Sequence, residues 1–496
     1  MQDLGRRVAA GAAWMVGLRL ATRILGVASM LVLARLLTPE DFGLVALATT
    51  LAALLDIASD FNFDLAIIRD RKAGRPEYDT AWTLTLAKGA LLALLLLALA
   101  RPTAAFFGDP RLEPVLGWLA LAAFLQGLGN IGTVDFRRDL EIAREFRFHL
   151  YGRLAQFVAG IGLALLWRDW RALVAAILAR RVVLLVASYG MSAYRPRLSL
   201  ARLRALIDFS KWVLANNALS FVRERADALI VGKLAGPAPL GLYAIAQEIA
   251  DLPTSELAQP IARAAYPGYA RIARDRARLA DAYLETLGLV LVICLPTSLG
   301  IALLAEPLVG LLLGPAWLGS VPLVEALVLY GLMRAGSTIT GPVYLALGRV
   351  RIEPALLALY LAMLLPLLTV LVVHMGVIGA VLALSVCAAV NLALNLVIVS
   401  RLLGLGTGRL LAVTWRTMLA ATVMAAGVAT AAAAVEAPLA RLLAGIGVGV
   451  PLFAAGLFGL WRACGRPPGA ERTLLVRLGE LYDRLPRGRV PAALRR

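Results

Sequence analysis

The stretch WMVGLRLATRILGVASMLVLARLLTPEDFGLVALA, residues 14–48, returns without a gap as WVLANNALSFVRERADALIVGKLAGPAPLGLYAIA, residues 212–246. At this offset of 198, Trp14 falls on Trp212, Leu31 on Leu229, Leu36 on Leu234, Pro39 on Pro237, Gly43 on Gly241, Leu44 on Leu242, Ala46 on Ala244 and Ala48 on Ala246. Shared apolar composition accounts for some of these matches, but Trp, Pro and Gly are uncommon enough to fix the register. The chain reads as two related halves.

With 60% hydrophobic residues in 496 and a mean hydropathy of +0.79, the chain holds more apolar side chain than one soluble core hides. Lipid must cover the rest. Stretches of about 20 apolar residues, the length that crosses the hydrocarbon, begin near residues 10, 42, 80, 113, 148, 171, 208, 240, 283, 321, 354, 377, 411 and 438. An open sheet edge is not stable in lipid, so helices are expected. The expectation is an all-α polytopic membrane protein of about fourteen transmembrane helices: two pseudo-symmetric six-helix bundles plus two C-terminal helices. The domains are then 1–205, 206–405 as its repeat, 406–461 as an extra helix pair, and 462–496 as a basic tail. A duplicated membrane protein points to a transporter whose two bundles rock about a central site.

Charge placement tests the count. With the N-terminus inside, the inner connections and tail carry 33 Lys and Arg, against 7 outside: Arg35, Arg101, Arg111, Arg168, Arg171, Lys233 and Arg441. The bias alternates with every crossing and places both termini in the cytoplasm. The net charge of +18 is thereby read as topology and contact with anionic membrane lipids. Nucleic acid is not an expected partner, because the basic residues are scattered over short loops without a binding motif.

Much is absent. Cys294, Cys387 and Cys464 offer neither a disulfide framework nor metal-ligand spacing, and His149 and His374 are far apart, so no metal and no cofactor are expected. There is no GxxxxGK[ST] loop to cradle a nucleotide. The outer loops are short, the longest near 101–112 and 306–320. They leave no room for external catalytic carboxylates, and the inner loops hold no paired-acid or Ser/His arrangement. No catalytic residue is assigned and an enzyme is not expected. The first apolar segment carries Arg19 and Arg23 and is matched by a later span, so it reads as structural and not as a cleaved signal.

Ionisable residues inside spans cost several kcal/mol in hydrocarbon unless they face a cavity or a partner. Arg19 and Arg23 are four apart and share one helix face. The repeat mate of that helix carries Asn216, Asn217, Ser220, Arg223 and Asp227 over an arc of roughly 100°. Span 2 has Asp56 and Asp60 on one face, and its mate has Gln247 and Asp251, with Pro253 and Pro260 expected to kink it. Lys88, Arg153 and Arg334 complete the shortlisted set, and Arg180 and Arg181 are further intramembrane cations. For each, snorkelling to headgroups or a plain interhelical ion pair is the bland alternative. The functional reading makes Arg19, Arg23, Lys88, Arg153, Asn216, Asn217, Ser220, Arg223, Gln247 and Arg334 a substrate-binding lining, and Asp56, Asp60, Asp227 and Asp251 ion-coupling groups.

LARLLTPEDFGLVALA (33–48), FFGDPRL (106–112) and FRRDL (136–140) resemble the polysaccharide-export branch of the multidrug/oligosaccharidyl-lipid/polysaccharide flippases. The nearest resemblance is to the Wzx-type exporters of colanic and teichuronic acid. It covers about residues 5–460 and is most specific over the first 150. It implies two six-helix bundles in a V with an extra helix pair, in a bacterial cytoplasmic membrane. It also implies a substrate, an undecaprenyl-diphosphate-linked oligosaccharide moved from the inner to the outer leaflet, with polysaccharide polymerase or export machinery as partners. In related flippases cationic residues of span 1 line the central cavity, which is the place Arg19 and Arg23 occupy. Two other readings compete: a multidrug or organic-cation antiporter of the same superfamily, whose site should be rich in acids and aromatics, and a membrane enzyme of polysaccharide assembly, such as a polymerase, which the short outer loops oppose.

Overall fold

The computed structural model describes residues 17, 22–58, 67–68, 73–139, 141–203, 225–467 and 469–475. Among them all regular structure is helical. The order is α1 (described over 22–36), α2 (Pro39–Ala58), α3 (Arg75–Phe107), α4 (Leu112–Gly127), a 3-10 turn (Ile131–Val134) running into α5 (Asp135–Arg138), α6 (Ile142–Trp167) and α7 (Arg171–Met191). Then come α8 (described over 225–234), α9 (Pro237–Ala250), a π-helix (Thr254–Ala258), α10 (Gln259–Ile272), α11 (Arg276–Leu303) and α12 (Ala305–Leu312). A 3-10 turn (Pro315–Ser320) leads to α13 (Val321–Thr338), α14 (Thr340–Ala346), α15 (Ile352–Met375), α16 (Val377–Leu403), α17 (Thr407–Ala433) and α18 (Pro438–Ala463).

Among the described residues nine helices are long and apolar enough to cross a membrane, ten if Leu112–Gly127 and Ile131–Arg138, bent by 70°, form one span. These coincide with ten of the fourteen expected positions. The segments near 10, 42 and 208 run into residues outside the described set. The segment near 240 is not one rod: α9 stops at Ala250, and the π-helix intervenes before α10. Pro253 and Pro260, which lack backbone donors, flank that break.

The TPED motif is a reciprocal helix cap. Thr38 N–H donates to Asp41 Oδ2 at 3.0 Å, Asp41 N–H donates to Thr38 Oγ1 at 3.2 Å, and Pro39 takes the first helical position, where its missing N–H is harmless. Asp41 is buried, and its other oxygen accepts from Trp170 N–H at 3.0 Å.

Gly43 and Gly241, matched at the 198 offset, each lie against the other's stretch. A Cβ added to Gly43 would lie 1.7 Å from the Pro237 carbonyl oxygen, and one added to Gly241 would lie 1.8 Å from the Pro39 carbonyl oxygen. Residues related by the 198 offset thus meet reciprocally, as across a two-fold axis, and only glycine lets the backbones approach so closely.

Contacts gather the chain into two compact units. The first comprises Met1–Ala244, Leu312–Trp317 and Leu368–Ala380. In it α3 packs along α4, α6 along α7, and α4 against α7. Its connections segregate to two ends. At one, Arg111 pairs with Glu40 at 2.5 Å and Lys233 reaches the Phe106 carbonyl. At the other, Arg202 pairs with Glu77 at 2.9 Å and Arg144 donates to the Met191 carbonyl at 3.2 Å. These are the groupings that the charge alternation assigns to opposite sides.

The second unit comprises Ile245–Leu311, Leu318–Leu367 and Val381–Arg496. There α11 packs on α13 and α17, α17 on α18, and α10 on α14. The described start of the basic tail is docked: Ala470 is buried, and Glu471 pairs with Arg416 at 2.8 Å with both side chains under 9% exposed.

Two outcomes are expected. Gly43→Ala or Gly241→Ala should lower the melting temperature of the purified protein by an amount equivalent to about 1–3 kcal/mol, since a backbone carbonyl does not yield as a side chain does. Gly117→Ala, with open space around it, should be near neutral. Glu471→Leu leaves Arg416 buried without its carboxylate; a cost of about 3–5 kcal/mol should appear as low abundance in membrane fractions, repaired by adding Arg416→Met.

Candidate functional site

In the first unit Asp56, near the end of α2, faces Lys88 in the middle of α3, with Nζ to Oδ1 at 2.8 Å. The pair is partly exposed, Lys88 at 16% and Asp56 at 35%. Arg153 on α6 is half-buried. Across from it on α7 are Arg180 and Arg181; Arg153 acts electrostatically on Arg180, and Asp56 on Arg181. The structure therefore brings three shortlisted residues, Asp56, Lys88 and Arg153, together with two further cations. Arg23 is half-buried on α1. Asp227 is buried, with Oδ2 accepting from the Tyr243 hydroxyl at 2.5 Å and Oδ1 from Ala228 N–H at 2.8 Å. The Tyr243 contact ties α8 to α9.

In the second unit the site is built on the broken span. Gly331 of α13 approaches the break so closely that an added Cβ would lie 2.7 Å from the Ala250 carbonyl oxygen. Its own carbonyl accepts from Thr254 Oγ1 at 2.8 Å. This approach sets the position of the residue one turn further on: Arg334 Nη1 comes to 3.2 Å from Asp251 Oδ1 while its guanidinium lies 5.7 Å from the Tyr330 ring centroid. Gln247 sits one turn before Asp251 on α9, half-buried. Arg334 and Asp251 side chains are 37% and 30% exposed. A π-helix leaves part of the backbone ladder out of register and is frequent at functional sites.

Arg19, Asp60, Asn216, Asn217, Ser220 and Arg223 lie outside the described residues. Tyr330 and Tyr243 were not anticipated. Tyr330 precedes Arg334 by four residues, a spacing that puts the two on one helix face and was readable; the 16-residue separation of Asp227 from Tyr243 was not.

Chemically, each pair holds one cation beside one carboxylate at a partly exposed position. Such a cation can exchange its carboxylate for another anion, and such a carboxylate can take up a proton or metal cation when its partner leaves. No group of three or more His, Cys, Asp and Glu that could hold a metal ion occurs among the described residues.

A multi-span helical protein with a broken span and partly exposed ion pairs between its helices has the build of a membrane transporter. The family described as "Polysaccharide biosynthesis protein" matches residues 32–322, over half the chain, and the chain belongs to that family. It is 26% identical over 355 residues to the lipopolysaccharide biosynthesis protein WzxC of Escherichia coli (strain K12), covering 71% of this chain and 72% of that protein. With the succinoglycan biosynthesis transport protein ExoT of Rhizobium meliloti (strain 1021) it shares 25% identity over 300 residues, 60% of this chain and 61% of that one. Its fold is similar to that of the lipid II flippase MurJ, solved in an inward closed conformation: the TM-score is 0.74 with 91% of this chain and all of that one covered, at 12% identity.

A double-mutant cycle tests the Asp251–Arg334 pair. Arg334→Met and Asp251→Asn should each destabilise the purified protein, and the double variant should recover part of the loss, with a coupling of about 0.5–3 kcal/mol. Additive effects would mean that the two side chains do not interact.

Proposed function

We propose that this protein moves an undecaprenyl-diphosphate-linked oligosaccharide from the inner to the outer leaflet of the bacterial cytoplasmic membrane, by alternating access between its duplicated halves. The observation that carries the reading is the family match over 32–322, and it favours a sugar lipid over an organic cation as cargo. A diphosphate bearing sugars cannot cross hydrocarbon unaided, while its polyprenyl tail can stay in lipid beside the protein. What the headgroup needs is a wet, cationic path.

The ion pairs supply a way to couple binding to an ion. Arg334 engages a diphosphate through two parallel charge-assisted hydrogen bonds, and Lys88 as a point charge. Each such engagement releases a carboxylate, Asp251 or Asp56, which then recruits a proton or Na⁺; when the ion leaves, the carboxylate reclaims its cation and expels the headgroup. Arg19, Arg23 and Arg223 extend the cationic path, with Arg153 beside Lys88. Asn216, Asn217, Ser220 and Gln247 meet sugar hydroxyls, and Asp60 and Asp227 are the remaining ion-coupling positions. Both termini face the cytoplasm, and polymerase or export machinery receives the product outside.

The test is reconstitution with fluorescent polyprenyl-diphosphate oligosaccharide, scored for leaflet exchange. Wild-type protein should catalyse exchange, and Arg334→Gln or Lys88→Gln should slow it at least tenfold with the protein still folded. No exchange by wild type over empty liposomes would overturn the assignment, whereas undiminished exchange by both variants would remove these pairs from the path. Dissipating the membrane potential should slow exchange; an unchanged rate would exclude electrogenic coupling.

A further inference from the structure

Within the first unit, α4, the bent segment Ile131–Arg138, α6 and α7 enclose a cavity of about 320 Å³, at the lower end of the size range of small-molecule sites. It shares no lining residue with the Lys88–Asp56 pair. Arg180 and Arg181 form its inner wall; Arg137, Glu145, His149 and Ser188 stand towards its other end. Since α7 runs from Arg171 to Met191 at about 1.5 Å per residue, the two arginines lie about 14–17 Å from either end of the helix, at mid-span. Ser188 and Arg137 lie at the end that carries the arginine-rich connections. The cavity therefore leads from that end to the middle of the span.

Its charges do not balance. Glu145 is the one carboxylate in the lining, and it is held by Arg137 at 2.6 Å with His149 at 3.8 Å. Arg180 and Arg181 make no ion pair among the described residues, and Arg180 Nε is buried without a hydrogen-bond partner. Asp56, the carboxylate acting on Arg181, is already bound to Lys88 at 2.8 Å, and Arg153 adds a further like charge beside Arg180. A mid-span guanidinium with an unsatisfied donor is costly. The wall around it is rigid: Asn130 donates through its backbone N–H to Ser188 Oγ at 3.0 Å and through its side chain to the Tyr194 carbonyl at 2.7 Å, pinning the 70° bend. A preformed cavity with surplus positive charge and an unused guanidinium donor is built for an anion.

We propose that this cavity binds a phosphate group, with Arg180 and Arg181 as its ligands at mid-span and Arg137 near its mouth. The tetrahedral anion accepts the unused Nε–H of Arg180 and the forked donors of Arg181. The phosphate comes either from a phospholipid headgroup of the adjoining leaflet or from solution. The proposal stands apart from the cargo assigned above, because its test reads binding and not transport.

The experiment measures the melting temperature of the full chain against two probes: inorganic phosphate exchanged for chloride at constant ionic strength in neutral detergent, and phosphatidylglycerol exchanged for phosphatidylcholine in nanodiscs. A ligand of the native state raises the melting temperature. Wild type should rise with at least one probe, and Arg180→Gln or Arg181→Gln should raise the half-saturating concentration tenfold or more. Arg180→Lys, which keeps the charge but loses the fork, should fall between, and it serves where a glutamine variant does not fold. Exposed Arg101→Gln should behave as wild type. A response to lipid alone assigns the headgroup, a response to phosphate alone assigns the free anion, and a response to both assigns the phosphate group irrespective of source. A wild type insensitive to both probes, or equal responses in wild type and the Arg180 and Arg181 variants, overturns the proposal.

Discussion

An ionised side chain has no stable place in hydrocarbon unless it meets an opposite charge or water, and the interior of each unit is arranged around that requirement. Asp56 has Lys88 and Asp251 has Arg334, while the arginines at the middle of α7 face a cavity. None of the two pairs is sealed: the side chains remain between about one sixth and about one third exposed. A fully buried pair, such as Arg416 with Glu471, is a structural fastening that cannot exchange partners without a large penalty. Partial exposure lowers that penalty.

The broken span shows how local chemistry reaches the site. Prolines remove donors, the helix loosens into a π-turn, the bare flank of Gly331 comes up against the Ala250 carbonyl, and the Thr254 hydroxyl donates to the Gly331 carbonyl. That close approach carries Arg334 to Asp251. A side chain at position 331 would push α13 away and open the pair without altering either charged residue.

The helical architecture and the positions of most spans were legible because hydrophobic length and charge alternation are local signals. The kink near Pro253 was legible for the same reason. The partners of the charges were not. Asp56 and Lys88 were placed in separate roles, ion coupling and substrate binding, as were Asp251 and Arg334, because a linear pattern shows which helix face a residue occupies and not which helix lies opposite. Arg180 and Arg181 stayed off the shortlist because the sequence does not fix their depth between mid-span and an interface; their significance comes from the bend between α4 and α5 that opens the space beside them. Glu471 sits among the arginines of the tail, where nothing in the sequence marks it as the mate of a residue in α17.

The reciprocal meeting of Gly43 with Pro237 and of Gly241 with Pro39 is of the isologous kind, in which one patch is its own complement. If each half holds six spans, an even number, both copies would enter the membrane in the same sense. A half-length chain would then already carry the surface needed to pair with itself, which makes a homodimer of such halves a geometrically ready ancestor. Fusion into one polypeptide frees the halves to diverge elsewhere, so that the aspartate of one copy can become a threonine in the other, as Asp56 and Thr254 are, provided the shared seam stays free of side chains.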